Sequence, residues 1–356
     1  MDRFEVRVSI TKLVLILLVV IVPLSIIGLI LTQRSDRATD NSIGTDFKTI
    51  AQMYSNDVSQ IMRDRVAAVR ALATDPAIVA ATSGTRKGGA AESNAAPASM
   101  LASTGSQLLH QRRALDPRYL SIVVTDLSGN VVAASQAPPK MSYAQDAYWQ
   151  SVYNNGQESV KISDIIDDEF TKSYYVNIGA PVTDPASGAA TGILSAAVSI
   201  SDLMLRFRQD QIANGARAEL VSDDGTIVSA PNADVFSRTK SQQFDAIRDQ
   251  LGSLQGTQNG WQMASLRNGP YIVGYAATGL KQHYDNLGWI VLVSQEEHQA
   301  AAPIRELEHF ALIMVILALF MLTLLCVYYF IHRTQKFEDL ESALPPEATR
   351  TRTASA

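Results

Sequence analysis

The 356-residue chain contains a single cysteine, Cys326, in the most apolar part of its C-terminal third. One thiol cannot form an intrachain disulfide, and it cannot build a zinc site from several cysteines. A domain of this chain outside the cytoplasm would therefore be held together by its hydrophobic core alone.

An excess of basic residues is also missing. The chain has 30 Lys and Arg against 35 Asp and Glu, which gives a net charge of −5. Because the sequence has no arginine-rich patch, nucleic acid is not an expected partner. The five histidines are scattered, and the G-x-S-x-G, H-E-x-x-H and phosphate-loop motifs are absent. The sequence therefore predicts a protein that is not an enzyme, with no cofactor and no metal.

Two long uncharged runs stand out, at residues 13–32 and 310–331, in a chain that is 47% hydrophobic. As helices, both are long enough to cross a hydrocarbon layer of about 30 Å. Pro23, in the first run, is tolerated in membrane helices. A cleaved signal peptide is the alternative for the first run, but the run is long for one and no small-x-small cleavage site follows it. We therefore predict two transmembrane helices.

Positive charges beside the two runs predict their orientation. Arg3, Arg7 and Lys12 precede the first run, and Arg333 and Lys336 follow the second. Because cytoplasmic flanks are enriched in Lys and Arg, both termini are expected in the cytoplasm. The chain is thus predicted to lie in the inner (cytoplasmic) membrane with its bulk in the periplasm.

A long amphipathic helix is predicted from about Ser35 to Ala81. Its apolar residues recur at steps of three to five; they are Phe47, Ile50, Tyr54, Val58, Ile61, Val66, Val69 and Leu72. The apolar face can pack on its own domain, or it can also pair with the same helix of a second subunit to form a homodimer. Residues 83–103, rich in Gly, Ala and Ser, are expected to form a flexible surface loop.

Two strand-turn-strand patterns follow, about a hundred residues apart. The first joins Tyr119–Val124 to Val131–Ser135 through TDLSGN, and the second covers 216–230 with a turn at Asp224-Gly225. The Asp223-Asp224-Gly225 run could bind Ca²⁺, but a hairpin turn there needs no ion. Further strands are predicted at 174–184, 192–201, 269–277 and 289–295. Two copies of one α+β unit are the simplest explanation.

The order of these elements resembles the double Cache sensor domains of bacterial transmembrane receptors, from about Ser35 to Ile304. The segments that carry the resemblance are YAQDAYWQSVYNNGQESVKISDII, YYVNIGAPVTD, GILSAAVSISDL and GWIVLVSQEE. The resemblance implies an α+β fold in which a long N-terminal stalk helix carries two PAS-like modules with antiparallel sheets. It also implies a small ligand in the membrane-distal module.

Together, the resemblance and the two apolar runs divide the chain into seven expected segments. These are a cytoplasmic N-terminus (1–12), a first span (13–32), the stalk helix and loop (33–104), a distal module (105–205), a proximal module (206–309), a second span (310–331) and a short disordered cytoplasmic tail (332–356).

The resemblance also implies which side chains face the ligand: Tyr143, Asp146, Tyr148, Trp149, Asp164, Asp167, Tyr175 and Asn177. Aromatic rings and carboxylates suit a small ligand with a cationic group. The competing interpretation is an aromatic core edge beside solvated acids. Amino-acid-binding members carry an arginine two residues before the tryptophan, and this chain has Ala147 there. An amino-acid ligand is therefore not supported by this segment, and an amine, a nucleobase-like compound or no ligand stay open.

The predicted function is a membrane-anchored small-molecule sensor without an output domain of its own. It would relay ligand binding through its transmembrane helices to a separate cytoplasmic or membrane signalling partner. The alternatives are a non-signalling envelope scaffold or binding protein, and a truncated receptor of the histidine-kinase, diguanylate-cyclase or chemoreceptor type.

Overall fold

The structure is a computed structural model in which residues 10–88, 97–154, 159–168, 173–208, 212, 215–233, 237–251, 259–284, 286–302 and short stretches between 312 and 328 are described. Side chains are described from Arg37 onwards, except those of 84–88 and 250. The chain divides into two units, Met1–Ala300 and Ala301–Ala356. Both sheets belong to the first unit. In the second unit, the described residues between 312 and 328 are helical.

The helices of the first unit precede and connect the strands. They are α1 (Ile10–Ala73), α2 (Pro76–Gly88), α3 (Pro97–Leu101), α4 (Thr104–Leu115), α5 (Ala147–Tyr153), α6 (Ser201–Phe207) and α7 (Gln242–Leu251). Part of the predicted flexible loop 83–103 is therefore helical, because α2 continues to Gly88 and α3 begins at Pro97. Residues 89–96 of that loop lie outside the described part of the chain.

The predicted helix 35–81 is divided at Pro76. Helix α1 ends at Ala73, and α2 begins at Pro76 after a bend of 56°. Proline has no N–H to donate and its φ is preset, so it fits the first position of a helix better than the interior. The Asp75 carboxylate accepts a hydrogen bond from the Ala77 N–H at 2.9 Å, which caps the new helix.

The apolar face of α1 packs within its own chain. From Arg37 onwards, Phe47, Val58 and Met62 of α1 are buried, and Met53, which is 63% exposed, is the one large hydrophobic side chain on the outward face. Ser55 donates a hydrogen bond to the Ala277 carbonyl at 2.9 Å. The apolar stripe is thus used inside the subunit, and pairing with a second subunit stays a prediction.

The first sheet is antiparallel, with the strand order β2-β1-β6-β5-β3, and β4 also pairs with β5. Its strands are β1 (Tyr119–Asp126), β2 (Val131–Ala134), β3 (Lys161–Ile162), β4 (Ile166–Asp168), β5 (Ser173–Thr183) and β6 (Ala190–Ser199). The predicted strands correspond to β1, β2, β5 and β6. The short strands β3 and β4 lie where the sequence predicted only a loop.

The second sheet is also antiparallel, with the order β8-β7-β11-β10-β9. Its strands are β7 (Arg217–Val221), β8 (Ile227–Ser229), β9 (Asn259–Leu266), β10 (Gly269–Ala277) and β11 (Ile290–Glu296). In both sheets the two strands of the first hairpin lie at one edge, and the last and the second-last strands of that sheet follow them in order. A long helix with two such sheets confirms the predicted α+β fold, whereas the module limits 105–205 and 206–309 stay predictions.

Within the described part of the chain, no single helix is both long and apolar enough to cross a membrane, although Arg37–Ala73 and Pro76–Ser83 together have the length and composition to do so as a bent pair. The predicted span 13–32 lies in the part of α1 whose side chains are not described. The predicted span 310–331 is described only in part.

Candidate functional site: one face of the first sheet

The two faces of the first sheet differ in what covers them. In antiparallel strands, residues opposite one another point to the same face. Tyr175, Asn177 and Gly179 on β5 lie opposite Ser199, Ala197 and Ser195 on β6. On the far side of β6, Ala197, Ser195 and Ile193 lie opposite Ser121, Val123 and Thr125 of β1. We call this surface the α5 face, because α5 packs on part of it.

The opposite face is closed by helices. It carries the fully buried Ile122, Val124, Val176 and Ile178. At its edge, a Cβ on Gly192 would lie 2.6 Å from the Thr82 side chain of α2. The centre of this face is filled by apolar side chains, whereas the α5 face keeps polar side chains half-buried, so we take the α5 face as the candidate surface for a ligand.

Asp146 begins α5. Its carboxylate accepts hydrogen bonds from the N–H groups of Tyr148 at 3.0 Å and Trp149 at 3.3 Å, and it pairs with Lys140 at 2.7 Å. Burial raises the pKa of Asp146. The hydrogen bonds from Lys140 and from the two backbone N–H groups together lower this pKa by more than burial raises it, so it lies below the ordinary value. The carboxylate is thus committed to the helix start and to Lys140 in this arrangement.

Tyr148, in the first turn of α5, holds the helix against the sheet. A side chain at position 179 would collide with it, because a Cβ on Gly179 would lie 3.0 Å from the Tyr148 hydroxyl and 2.6 Å from Val152. The hydroxyl lies 2.8 Å from the Asn177 carbonyl and 3.0 Å from the Lys161 carbonyl, to which it can donate. Burial raises the pKa of Tyr148, so the phenol is neutral and acts as a donor at all ordinary pH values.

Trp149 belongs to the core of this region. It is 7% exposed, packs with Val152 and Ile193, and stacks on Tyr153 with ring centroids 5.2 Å apart. Its indole N–H donates to the Thr125 hydroxyl at 2.8 Å. A buried tryptophan N–H needs such a partner, so Trp149 belongs to the core beneath α5, and its contact with a ligand stays a prediction.

Tyr143 lies beside this core, half-buried. The Lys140 ammonium is 4.5 Å from its ring centroid, which is a cation–π contact within the protein. Burial raises the pKa of Tyr143. The cation that this aromatic surface attracts in the structure is therefore Lys140 itself.

Tyr175 and Asn177 lie on the part of the α5 face that α5 leaves open. Both are half-buried, and so are the hydroxyl-bearing Ser121, Ser195 and Ser199 around them. Burial raises the pKa of the Tyr175 phenol, and the nearby Asp168 and Asp167 add to this effect. The result is a strip of neutral hydroxyl and amide groups, which can donate and accept hydrogen bonds at partial burial.

The three serines were missed from the sequence although a signal was present. Ser195, Ala197 and Ser199 alternate along β6, as do Ser121, Val123 and Thr125 along β1. In a strand, alternate residues share a face. The register with β5, which brings these residues beside Asn177, is not readable from either segment alone.

The two predicted ligand-facing acids, Asp164 and Asp167, lie before β4 and within it. Asp164 is exposed before β4. Ile166 lies opposite Tyr175 and Asp167 opposite the buried Tyr174, so Asp167 points away from the α5 face. The structure therefore brings together Tyr143, Asp146, Tyr148 and Trp149 on and beside α5, next to Tyr175 and Asn177, and does not bring Asp164 or Asp167 onto that surface.

Metal binding finds no support in the described part of the chain, where no group of three or more His, Cys, Asp or Glu side chains is placed to hold an ion. The chemistry of the α5 face is therefore hydrogen bonding and aromatic contact.

Comparison with known proteins gives a consistent picture. A family model described as "Cache domain" matches residues 35–304. One similar structure is the sensory domain of the Campylobacter jejuni chemoreceptor Tlp3 with isoleucine bound, with TM-score 0.54 and 12% identity over 74% of this chain and 97% of that chain. Another is the ligand-binding domain of the Pseudomonas aeruginosa PAO1 amino acid chemoreceptor PctC in complex with GABA, with TM-score 0.51 and 14% identity over 72% and 100%. At such identities the likeness concerns the fold. No curated protein matches the chain.

Proposed function

The chain belongs to the Cache domain family, and from this premise we propose that it is a membrane-anchored sensor that binds a small molecule outside the cytoplasm on the α5 face. The observation that carries the proposal is the half-buried strip formed by Tyr175, Asn177 and the serines of β1 and β6. Ser199 already bonds to Ser201, and Ser195 to the Tyr148 hydroxyl. Hydroxyl and amide groups can make more than one hydrogen bond, so the strip still offers donors and acceptors to a ligand.

The ligand that fits this strip is a small polar organic molecule. The strip itself offers hydroxyl and amide groups, and the stacked Trp149 and Tyr153 close its inner end. The Tlp3 and PctC structures contain isoleucine and GABA, so amino acids belong among the candidates. The absence of an arginine at Ala147 favours ligands whose binding does not depend on a carboxylate clamp at that position.

Membrane anchoring is part of the proposal. Large apolar side chains between 312 and 328 are exposed, for example Leu312 at 50% and Phe320 at 61%. Contiguous exposed apolar residues are unfavourable in water and favourable in a bilayer. The uncharged run 13–32 would supply the second anchor.

A path from the strip to the stalk helix is present in the contacts. The backbone carbonyl of Ser199, which lies opposite Tyr175, accepts a hydrogen bond from the Arg65 guanidinium of α1 at 2.7 Å. Arg65, 4% exposed, also pairs with Asp202 of α6 at 2.5 Å. A ligand that binds two arrangements of β6 with different affinity would shift the contact between Ser199 and Arg65. Because Arg65 belongs to α1, we propose that this shift moves α1 and so transmits ligand binding to the stalk helix.

The test is a thermal-shift screen of the detergent-solubilised chain against amines, organic acids, purines and amino acids. A ligand at 100 times its Kd adds about 2.7 kcal/mol to stability. We expect one compound class to raise the melting temperature, Asn177→Ala to abolish the rise, and Gln60→Ala, an exposed stalk residue, to leave it unchanged. A rise that Asn177→Ala and Gln60→Ala leave equally intact would exclude the α5 face as the site.

A further inference from the structure

The short helix α6 follows the last strand of the first sheet and precedes the first strand of the second. Its buried side chains include Met204 and Phe207. The Phe207 ring lies 5.5 Å from the Tyr54 ring of α1, measured between centroids. The Met204 carbonyl accepts a hydrogen bond from the Ser229 hydroxyl of β8 at 2.9 Å. Helix α6 therefore contacts both α1 and the second sheet.

Two ion pairs of opposite sense join α6 to α1. Arg65 of α1 binds both carboxylate oxygens of Asp202 on α6, at 2.5 and 2.7 Å. Asp57 of α1 pairs with Arg206 of α6 at 2.8 Å. If α6 ran in the reverse direction, Asp57 would face Asp202 and Arg65 would face Arg206, so that like charges would meet. The charges thus specify how α6 docks on α1.

The two ion pairs differ in burial. The Arg65 side chain is 4% exposed, whereas those of Asp57 and Arg206 are 61% and 52% exposed. A buried guanidinium that loses its carboxylate partner is strongly destabilised, while an exposed ion pair contributes little. The docking of α6 therefore depends on Asp202 much more than on Asp57.

The end of β6 connects this contact to the α5 face. The Ser199 hydroxyl donates to the Ser201 hydroxyl at 3.1 Å and accepts from the Ser201 N–H at 3.3 Å. Ile200, between them, has an apolar side chain that cannot cap the helix. The Arg65 guanidinium that binds Asp202 also donates to the Ser199 carbonyl at 2.7 Å. A movement of Ser199 therefore acts on the start of α6 and on its buried ion pair.

We propose that α6 is a latch that opens as a unit, leaving α1 while both sheets stay folded, and that Ser199 on the α5 face controls it. The inference rests on the proposed function only for its trigger, a small molecule bound on that face. The latch itself is a property of the free protein. Opening separates α6 from Tyr54 of α1 and from Ser229 of β8, so a change at the α5 face reaches the second sheet as well as α1.

Hydrogen exchange of the full chain in detergent, measured by mass spectrometry without any added compound, tests whether α6 opens on its own. The urea dependence of exchange reports how much surface an opening exposes. At low urea concentration, we expect the amides of α6 to exchange faster than those of β10 and β11, and with a smaller urea dependence. The same urea dependence in α6 and in both strands would mean that α6 opens only when the whole unit unfolds, and would overturn the latch.

Two matched pairs of variants test what holds the latch. Asp202→Asn should speed the exchange of α6 by about tenfold or more, and Asp57→Asn by less than about twofold. Ser199→Ala should speed it by about threefold or more. Ser121→Ala removes a hydroxyl of the same face from β1 and should leave the exchange of α6 unchanged.

Each pair has an outcome that contradicts the proposal. Equal exchange of α6 in Asp202→Asn and Asp57→Asn would exclude the buried ion pair as the latch. Equal exchange in Ser199→Ala and Ser121→Ala would exclude control from the α5 face, and this comparison also decides the proposal if Asp202→Asn does not fold. Because no compound is added, these results do not depend on whether a ligand binds, which the thermal-shift screen decides separately.

Discussion

Glu219 on β7 is a buried carboxyl group in the second sheet, outside the α5 face. It is 9% exposed, and its Oε2 accepts a hydrogen bond from the Ser241 hydroxyl at 2.7 Å. Burial raises its pKa, and the bond from Ser241 and the charge of Arg217 only partly offset this. A carboxyl whose pKa is raised by folding stabilises the protein fully below its unfolded pKa, and this contribution is lost as the pH rises through the folded pKa.

The first prediction concerns Glu219→Gln, which keeps an oxygen for Ser241 and removes the charge. Relative to the wild type, the variant should become more stable as the pH is raised from about 4 to about 8. The pKa values of Asp146 and Asp224 are lowered, so their contribution to stability is lost as the pH falls. This contribution is the same in both proteins and cancels in the difference. The measurement is the difference in urea unfolding free energy across this range. A difference that does not vary with pH would contradict the prediction.

The second prediction separates a structural from a ligand-binding role for Asp146. Asp146→Ala removes the helix cap and should cost about 1 kcal/mol, while Asp146→Asn keeps the cap and loses only the ion pair with Lys140. Urea unfolding of the two variants should therefore show the alanine to be the less stable. If Asp146→Asn keeps full stability but removes the ligand-induced thermal shift, the carboxylate contacts the ligand instead.

At the residue scale, the sequence singled out the aromatic residues that the fold places on and beside α5, but not their contacts. Trp149 and Tyr148 occur in a recognisable helix start, so their position could be predicted. The partners Thr125 and the Asn177 carbonyl lie 24 and 29 residues away, and only the fold brings them together. Asp167 is predicted from a loop as one of the ligand-facing residues, and β4, a strand of three residues, is too short a pattern to show from the sequence which face each residue takes.

At the scale of elements, the packing of α1 on β10 depends on one glycine. A Cβ on Gly274 would overlap the backbone of α1, at the Phe47 carbonyl carbon and 2.6 Å from the Lys48 nitrogen. Backbone atoms cannot rotate away as a side chain can, so helix and strand would have to separate.

The third prediction is that Gly274→Ala costs about 3 kcal/mol through this overlap. Gly188→Ala is the matched control: its φ of +68° is strained for alanine, but no atom lies within 4 Å of the added Cβ, so it should cost about 1 kcal/mol. Thermal unfolding of both variants gives the comparison. Equal losses would mean that α1 adjusts to the added methyl group.

Elements with regular patterns were predicted and irregular ones were missed. Helix α1 and strands β5, β6, β10 and β11 have long apolar periods or runs. Strand β9 (NGWQMASL) is an edge strand whose residues are mostly half-buried, so its sequence carries little alternation. Its place in the sheet comes from β10, with which it pairs over eight residues.

For the molecule as a whole, the order of elements predicted the fold, but contacts between distant segments of the first unit could not be read from it. The Asn286 amide donates to the Ile162 carbonyl at 3.2 Å, across 124 residues. Arg65 reaches Ser199 and Asp202 across 134 and 137 residues. Side chains of this kind carry no sequence signal of their own, because exposed and bridging Asn or Arg residues look alike until the chain is folded.

The fourth prediction concerns the topology of the whole chain in the membrane. Cys326, the single native thiol, lies in the predicted second span and should resist a membrane-impermeant maleimide, because an apolar surrounding disfavours the reactive thiolate. In a Cys326→Ser background, Ala186→Cys, on an exposed turn of the first unit, should be labelled in intact cells. Ser355→Cys, in the predicted cytoplasmic tail, should be labelled only after the cells are permeabilised.

Equal labelling of the two introduced cysteines in intact cells would place them on the same side and contradict the two-span arrangement. Labelling of native Cys326 in intact cells would instead show that residues 310–331 are open to water.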